Sequence, residues 1–425
     1  MKIPLLIALI FSILQALTQN IEFTDFFYNK TMRVDYSRAG NFNSERIFLE
    51  QIKEEPFWGG SQKNLIDSFN LGAFYFFVSD SASGKLLYSR GYCSLFQEWQ
   101  ATPEAKKTPR SFYESVVFPY PKNTIVLELK KRQKDNSFVN QFKLIINPND
   151  YFIKTEKPIY SSEKIFGNGD PSVSVDIVFI PEGYTIDEMN KFKQDVLSLG
   201  GYMLEKEPFN QHKGKFNFWA VNSPSLESGT DVPGKDIWKN TIVNSNFYTF
   251  DSERYLTTQD IKATRDLAAS APYDQIYILV NTETYGGGGI FNYYNLTSAS
   301  NFYSKEVFVH EFGHGFGGLA DEYYDSEVSV EEYYTAGIEP WEPNITNLSN
   351  FEKKWKNMVD KKTPIPTPMN SKYLKTVGLF EGAGYTAKGM YRPYNNCTMK
   401  SLNAPEGFCP VCRKAISDMI KFYTE

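Results

Sequence analysis

VFVHEFGHGFGGLADEYY, residues 307–324, holds two of the only three histidines among 425 residues. With the three residues before it, the run SKEVFVHEFGH reads as a helix, with Ser304 as a possible N-cap. At about 100° per residue, Phe308, Phe312 and Phe316 fall on one stripe, and His310 and His314 lie together on roughly the opposite side. The aromatic stripe requires a core to pack into. The other face presents two imidazoles one helical turn apart, which can bind one zinc ion through ring nitrogens. Glu311 then reaches a water acidified by that metal and removes its proton as general base. In a chain so poor in histidine, this spacing is expected by chance on the order of once in a thousand such chains.

Zinc of this kind takes a third protein ligand and keeps its fourth position open. Gly317 and Gly318 can end the helix and turn the chain back toward the metal. Asp321 is therefore the first choice, followed by Glu322, and then by Glu331, Glu332 and Glu339 if the ligand sits on a separate element. His212, in the polar connector NQHKGK, is the remaining histidine.

Upstream of the helix, ETYGGGGIFNYYN (283–295) has four consecutive glycines, which suit a backbone that must approach another closely. It reads as an edge strand able to pair with an extended peptide. Further upstream, SVDIVFI (174–180), KFNFWAVN (215–222) and DQIYILVN (274–281) read as strands, and an amphipathic helix starts near Thr185 with Met189, Phe192, Val196 and Leu199 on one face. Strand, helix and strand in this order predict an α/β domain with a mixed sheet. Before residue 150 the pattern is period-two: Ile125, Leu127 and Leu129, a polar turn at 134–137, then Phe142, Leu144 and Ile146 predict a hairpin. An N-terminal all-β sandwich follows, read as an accessory domain without a catalytic cluster. The Asn-, Pro- and Ser-rich stretch 147–170 marks the boundary, giving a leader at 1–18, a β domain at 19–155 and a catalytic domain at 156–425.

A net charge of −5 leaves no basic excess to neutralise phosphates, so nucleic acid is not an expected partner. Lys2, an apolar run at 5–14 and Ala16-Leu17-Thr18 have the layout of a secretory signal peptide, and no later stretch is suited to crossing a membrane. The mature chain is expected to be exported, without stable membrane insertion, and monomeric. In an exported chain, Cys397, Cys409 and Cys412 suggest one disulfide among the three. The Cys409-Pro410-Val411-Cys412 pair finds no second CxxC and no spare histidine nearby to make a structural zinc site. Asn-x-Ser/Thr sequons stand at Asn29, Asn295, Asn344, Asn347 and Asn396.

HEFGHGFGGLADEYY, preceded by YGGGGIFN and followed by NNCTMKS and FCPVC, resembles the M64 peptidase family, the IgA-peptidase-type metalloendopeptidases, which are similar to metzincins. MRVDYSRAGN and YCSLFQEWQ resemble that family's N-terminal β domain, and VDIVFIPEGYT and SGTDVPG its catalytic domain, so the resemblance spans nearly the whole chain. It implies a metzincin-like zinc peptidase domain with an HExxH helix: His310, His314 and Asp321 as zinc ligands, Glu311 as catalytic base, and Cys397-Thr398-Met399 as a Met-turn with Met399 beneath the metal. The implied activity is hydrolysis of peptide bonds in extracellular proteins, immunoglobulin A-like substrates among them. A zinc amidase or esterase, or a surface protein binding glycans or host proteins with a vestigial metal site, are the alternatives. Two positions depart from the general metzincin pattern. Ala320 stands six residues after the second histidine, where the third ligand usually falls, and Ser401 stands where some metzincins carry a tyrosine. A donor to the oxyanion is left to the tyrosine-rich stretch 385–394, while Tyr323 and Tyr324 are expected to line the cleft or to belong to the core.

Overall fold

The computed structural model describes residues 21–324 and 334–425; the expected leader and the acids Glu331 and Glu332 lie outside these. A one-turn helix α1 (Phe23–Phe26) leads into β1 (Phe27–Asn41) and β2 (Ser44–Glu55). Next come β3 (Phe74–Asp80), β4 (Leu86–Tyr92), the short helix α2 (Leu95–Gln100), β5 (Arg110–Pro121), β6 (Ile125–Arg132) and β7 (Phe138–Ile146). These strands form two antiparallel sheets, ordered β2-β1-β5 and β4-β3-β6-β7. Their inward rows share one core: Met32, Val34 and Tyr36 of β1 with Phe118 of β5 from one sheet, and Phe74, Phe76, Val78, Leu127 and Leu129 from the other. The expected hairpin is β6–β7, with Leu127 opposite Leu144 and Leu129 opposite Phe142. Asn136, at φ 66°, makes its left-handed turn residue.

The second sheet system begins with β8 (Ser162–Phe166), β9 (Val175–Glu182), α3 (Met189–Met203), β10 (Phe216–Val221), α4 (Ile261–Ala268), β11 (Gln275–Val280), β12 (Gly287–Ile290), β13 (Tyr294–Ser298) and α5 (Ser304–Gly315). A two-stranded ribbon, β14 (Phe380–Ala383) and β15 (Thr386–Arg392), and the terminal helix α6 (Pro410–Thr424) complete it. The six strands run β12-β13-β11-β9-β10-β8, with β9, β10, β11 and β13 parallel and the two outer strands antiparallel to their neighbours. β9 and β11 are buried along their whole length, as central parallel strands covered on both faces must be. Thr185 and Glu188 form a capping box at the predicted helix start, although the first turn is 3-10 and α3 begins at Met189.

The aromatic stripe of α5 lies on this sheet. The ring of Phe308 stacks on Tyr277 at 4.0 Å between centroids, and Phe312 stacks on Phe316 at 4.9 Å. Burying each such ring contributes roughly 1.5–3 kcal/mol and fixes which face of the helix looks away from the sheet. The stretch between β4 and β5 leaves the N-terminal core: Cys93, Leu95, Phe96 and Trp99 belong to the core of the second sheet. Cys93 N–H donates to Phe291 O at 2.9 Å, and the Asn292 side chain donates to Gly91 O at 2.8 Å. Helix α2, from the half of the chain expected to be accessory, is therefore built into the other core.

A buried carboxylate pair marks the start of β9. Asp274 N–H donates to Asp176 O at 2.8 Å, and Asp176 N–H donates back to the Asp274 carboxylate at 2.8 Å. Burial raises Asp176 to about 6, against hydrogen bonds from Trp219 and Asn217 that hold it down; burial and then the Asp176 charge push Asp274 well up. Raised carboxyls mean that the folded chain binds more protons than the unfolded one. The contribution of Asp176 is complete below the unfolded value and is lost as pH rises through about 6. Asp176→Asn keeps an acceptor for Trp219 and Asn217 but carries no charge. It should lose ~1–3 kcal/mol less stability than wild type between about pH 4 and 6. Melting temperatures of both proteins across that range decide it, and parallel curves would refute it.

Candidate active site

On the face of α5 opposite the aromatic stripe, His310 Nε2 and His314 Nε2 stand 3.1 Å apart. Each ring is fixed from behind by a backbone carbonyl. His310 Nδ1 donates to Thr398 O at 3.0 Å and His314 Nδ1 to Leu319 O at 2.6 Å. Because a carbonyl can only accept, the Nδ1 atoms carry protons, and in their neutral form the rings turn Nε2 lone pairs toward each other. Asp321 closes the triangle, with Oδ1 at 3.2 Å from His310 Nε2 and 3.3 Å from His314 Nε2. This oxygen is buried and has no hydrogen-bond partner, while Oδ2 accepts from the Tyr385 hydroxyl. Three lone-pair donors facing one point repel one another unless a cation sits between them. Tetrahedral zinc with ligands at about 2.0–2.1 Å has ligand–ligand edges of about 3.3 Å, so the triangle fits that ion. His310, His314 and Asp321 form a group able to hold a metal.

Burial disfavours a charged imidazole, yet the Asp321 carboxylate beside it raises His314 to about 9 and also raises His310. Burial would raise Asp321 in turn, but the histidines hold it well below the usual carboxylate range. The Asp321 charge thus favours protons on the rings, and a metal, which needs neutral ligands, would compete with them. Glu311, half-buried, is raised by burial against the pull of the two histidines. That places its carboxyl in the direction a general base needs.

The turn that returns Asp321 to the histidines is pinned. Gly318 adopts φ 61°, and Leu319 N–H donates to Gly313 O at 3.1 Å, closing the helix. Asn344 accepts from Ala320 N–H at 2.8 Å and donates to Ala320 O at 2.9 Å and to Glu322 Oε1 at 3.0 Å. Met399 is fully buried, with its sulfur directly under Gly313, where a Cβ would lie 2.7 Å from it. Its carbonyl accepts from Glu322 N–H at 2.8 Å.

The other ligand candidates lie elsewhere. His212 is half-buried among Lys421, Glu425 and Lys215. Glu339 accepts from Asn350 N–H and faces Lys354. Glu322 diverges from its neighbour Asp321 and points into the three C-terminal cysteines. Glu331 and Glu332 fall outside the described residues. Ser304 is not the N-cap of α5; Tyr303 is, and the Ser304 hydroxyl donates to Ser298 O at 2.5 Å instead. The expected disulfide is also absent among the described residues. All four cysteines are free and buried, and Cys397 Sγ stands 3.7 Å from Cys412 Sγ, too far for a bond of about 2.0 Å. Of the sequons, Asn295 and Asn344 are fully buried and offer no surface for a glycan.

The glycine strand β12 is the outer edge of the sheet, as its composition suggested, with one parallel bridge from Tyr255 to Gly287 on its free side. Its glycines have a further cause in the helix behind them. A Cβ on Gly289 would lie 2.3 Å from Glu311 O, and one on Gly287 would lie 2.8 Å from Glu311 Oε1. Gly289→Ala must therefore push β12 off α5. Activity should fall by about 10²-fold, the usual cost of a displacement near 1 Å at reacting groups. Gly201→Ala in α3, where an added Cβ meets nothing within 4 Å, is the neutral control. Equal activity in the two variants would show that the strand's position does not matter.

Three residues around the triangle escaped sequence reading. Glu98 of α2 faces His314, Glu311 and Asp321 electrostatically, accepts from the Tyr255 hydroxyl at 2.5 Å, and is raised to about 7, mainly by burial. Arg254 is the cation facing Glu311. Tyr385 was only one of several tyrosines in its stretch. No local pattern distinguishes an acid in LFQEWQ from any helical glutamate; only the docking of α2 into the second core brings it to the site.

A mixed α/β fold thus brings two histidines and an aspartate together as a group able to hold a metal, with Glu311 electrostatically coupled to them beside a sheet edge. The family model described as IgA Peptidase M64 matches residues 164–376 and 369–420, and that described as Peptidase M64 N-terminus matches residues 22–143. No curated protein matches the chain. The chain belongs to the M64 peptidase family and is a peptide hydrolase whose substrate is a protein or peptide.

Proposed function

We propose that the chain is an exported, metzincin-like zinc metalloendopeptidase in which His310, His314 and Asp321 hold the metal and Glu311 is the general base. The observation that carries this reading is the partnerless Asp321 Oδ1 facing two Nε2 lone pairs, a set of acceptors that only a cation or protons can satisfy. Bound there, zinc supplies Lewis acidity, lowering the pKa of a water and polarising the scissile carbonyl. Glu311 takes a proton from the attacking water at its carboxylate and later delivers one to the leaving amine. Its carboxylate faces Gly287 on the edge strand, which places the base beside the edge of the sheet. Tyr385 holds Asp321 through Oδ2, and the backbone carbonyls of Thr398 and Leu319 hold the two rings, the kind of outer support that orients metal ligands. Export is inferred from the leader-like residues 1–18.

The test is cleavage of an unstructured protein such as casein. Activity should disappear with a chelator and return with zinc, with no change when serine- or cysteine-directed inhibitors are added. Chelator-resistant cleavage would overturn the metal reading. Stoichiometric zinc with amide or ester turnover but no proteolysis would move the chain to a different hydrolase class.

A further inference from the structure

A second cluster lies directly beneath the candidate active site. Cys397, Cys409, Cys412 and Glu322 are all at most 2 % exposed, and their ligand atoms lie within 4.8 Å of one another. Cys397 Sγ and Cys412 Sγ are 3.7 Å apart, and Cys412 Sγ is 3.3 Å from Glu322 Oε1. Zinc with Zn–S of about 2.3 Å and Zn–O of about 2.0–2.2 Å has tetrahedral edges of about 3.8 Å between sulfurs and about 3.5 Å from sulfur to oxygen. Glu322 Oε2 is fully buried and has no hydrogen-bond partner. A disulfide would join two of the thiols and leave the third, together with Glu322 Oε2, sealed in the core. A metal would engage all four.

We propose that Cys397, Cys409, Cys412 and the Glu322 carboxylate form a closed structural zinc site, separate from the His310–His314–Asp321 centre. CPVC has no second such pair in the sequence; the remaining ligands are Cys397, twelve residues earlier, and Glu322, ninety residues before Cys412. The surroundings suit thiolates. Cys409 N–H donates to Cys397 Sγ at 3.2 Å, Cys409 and Cys412 open the fifteen-residue helix α6, and buried Arg392 faces Glu322. Four protein ligands leave no open position, the mark of a structural rather than a catalytic zinc. Its role follows from the neighbours of its ligands. Glu322 adjoins Asp321, and Cys397 adjoins Thr398, whose carbonyl holds His310, and Met399, which supports Gly313. One ion would thus tie together the two segments that shape the upper site.

Zinc content of the purified full chain, measured by mass spectrometry under non-reducing conditions, tests this. Two zinc ions per chain are expected in wild type and one in His310→Ala/His314→Ala. That double variant, reconstituted with cobalt(II), should show sulfur-to-cobalt charge-transfer absorption, which requires no enzymatic activity. Cys412→Ser should lose one zinc; if it fails to fold, Glu322→Gln should still lose the lower ion preferentially to a chelator. A double-histidine variant with no zinc, or an intact chain lighter by two hydrogens because two thiols have joined, would overturn the proposal. One zinc in both wild type and the double variant would uphold the cysteine site while removing the metal from the upper centre, so the two readings fail separately.

Discussion

Glu311→Gln should reduce kcat/KM on an unstructured protein by at least about 10²–10⁴-fold, the range typical for a positioned general base, without changing metal content. Glutamine preserves the volume and one acceptor oxygen of a side chain wedged between α5 and Gly287 of β12, so the fold has no reason to respond. What it removes is the ability to take a proton. Burial raises the Glu311 carboxyl, and a base so raised loses activity on the acid limb as pH falls through its value. The variant's residual rate should lose that limb. Steady-state kinetics with parallel metal analysis checks both statements. Activity within tenfold of wild type would place the base elsewhere. Glu98, raised to about 7 and facing the same three residues, would then be the group to substitute.

The parts of this site that were legible in the sequence are those encoded within one helical turn. The i, i+4 histidines, the intervening glutamate and the opposed phenylalanine stripe are consequences of 3.6-residue periodicity, and α5 presents them as that geometry requires. The central strands were legible for a similar reason, since β9 and β11 are apolar runs with no alternative to burial. Features that depend on a distant segment were not. Asn344 looked like a glycan acceptor, yet it clamps Ala320 and Glu322 across more than twenty residues. The four glycines read correctly as an edge, but the close backbone of Glu311 behind Gly289 could not be inferred from composition. Cys397, Cys409 and Cys412 suggest a disulfide in an exported chain, and the fourth member of their cluster, Glu322, is brought to them only by the turn after α5. In each case the local pattern fixed the residue type, and tertiary closure fixed its task.

The adjacent acids Asp321 and Glu322 allow the sharpest separation of tasks. Asp321→Ala should abolish zinc binding at the histidine pair, weakening it by more than the 10–100-fold expected from removing a supporting hydrogen bond, and hydrolysis should fall with it. Tyr385→Phe, which removes only the donor to Asp321 Oδ2, should stay within that smaller range. A competing physical account is that Asp321 merely neutralises protonated histidines. That account makes a different prediction, because the carboxylate is what raises His314 to about 9 against burial. Removing it would lower that value in the metal-free chain with no effect on zinc. The metal-free wild type also has a signature. Its raised His314 contributes stability that is complete below the ordinary histidine value and is lost as pH rises through about 9, whereas the zinc-loaded chain, with unprotonated rings, should lack this loss. Metal analysis of Asp321→Ala, together with melting curves of metal-free and loaded wild type from neutral pH upward, separates the accounts. Zinc retained at the histidine pair in the variant would leave Asp321 as an ion-pair partner only. Zinc lost from that pair, with the alkaline transition confined to the metal-free form, is what three ligands meeting at one point require.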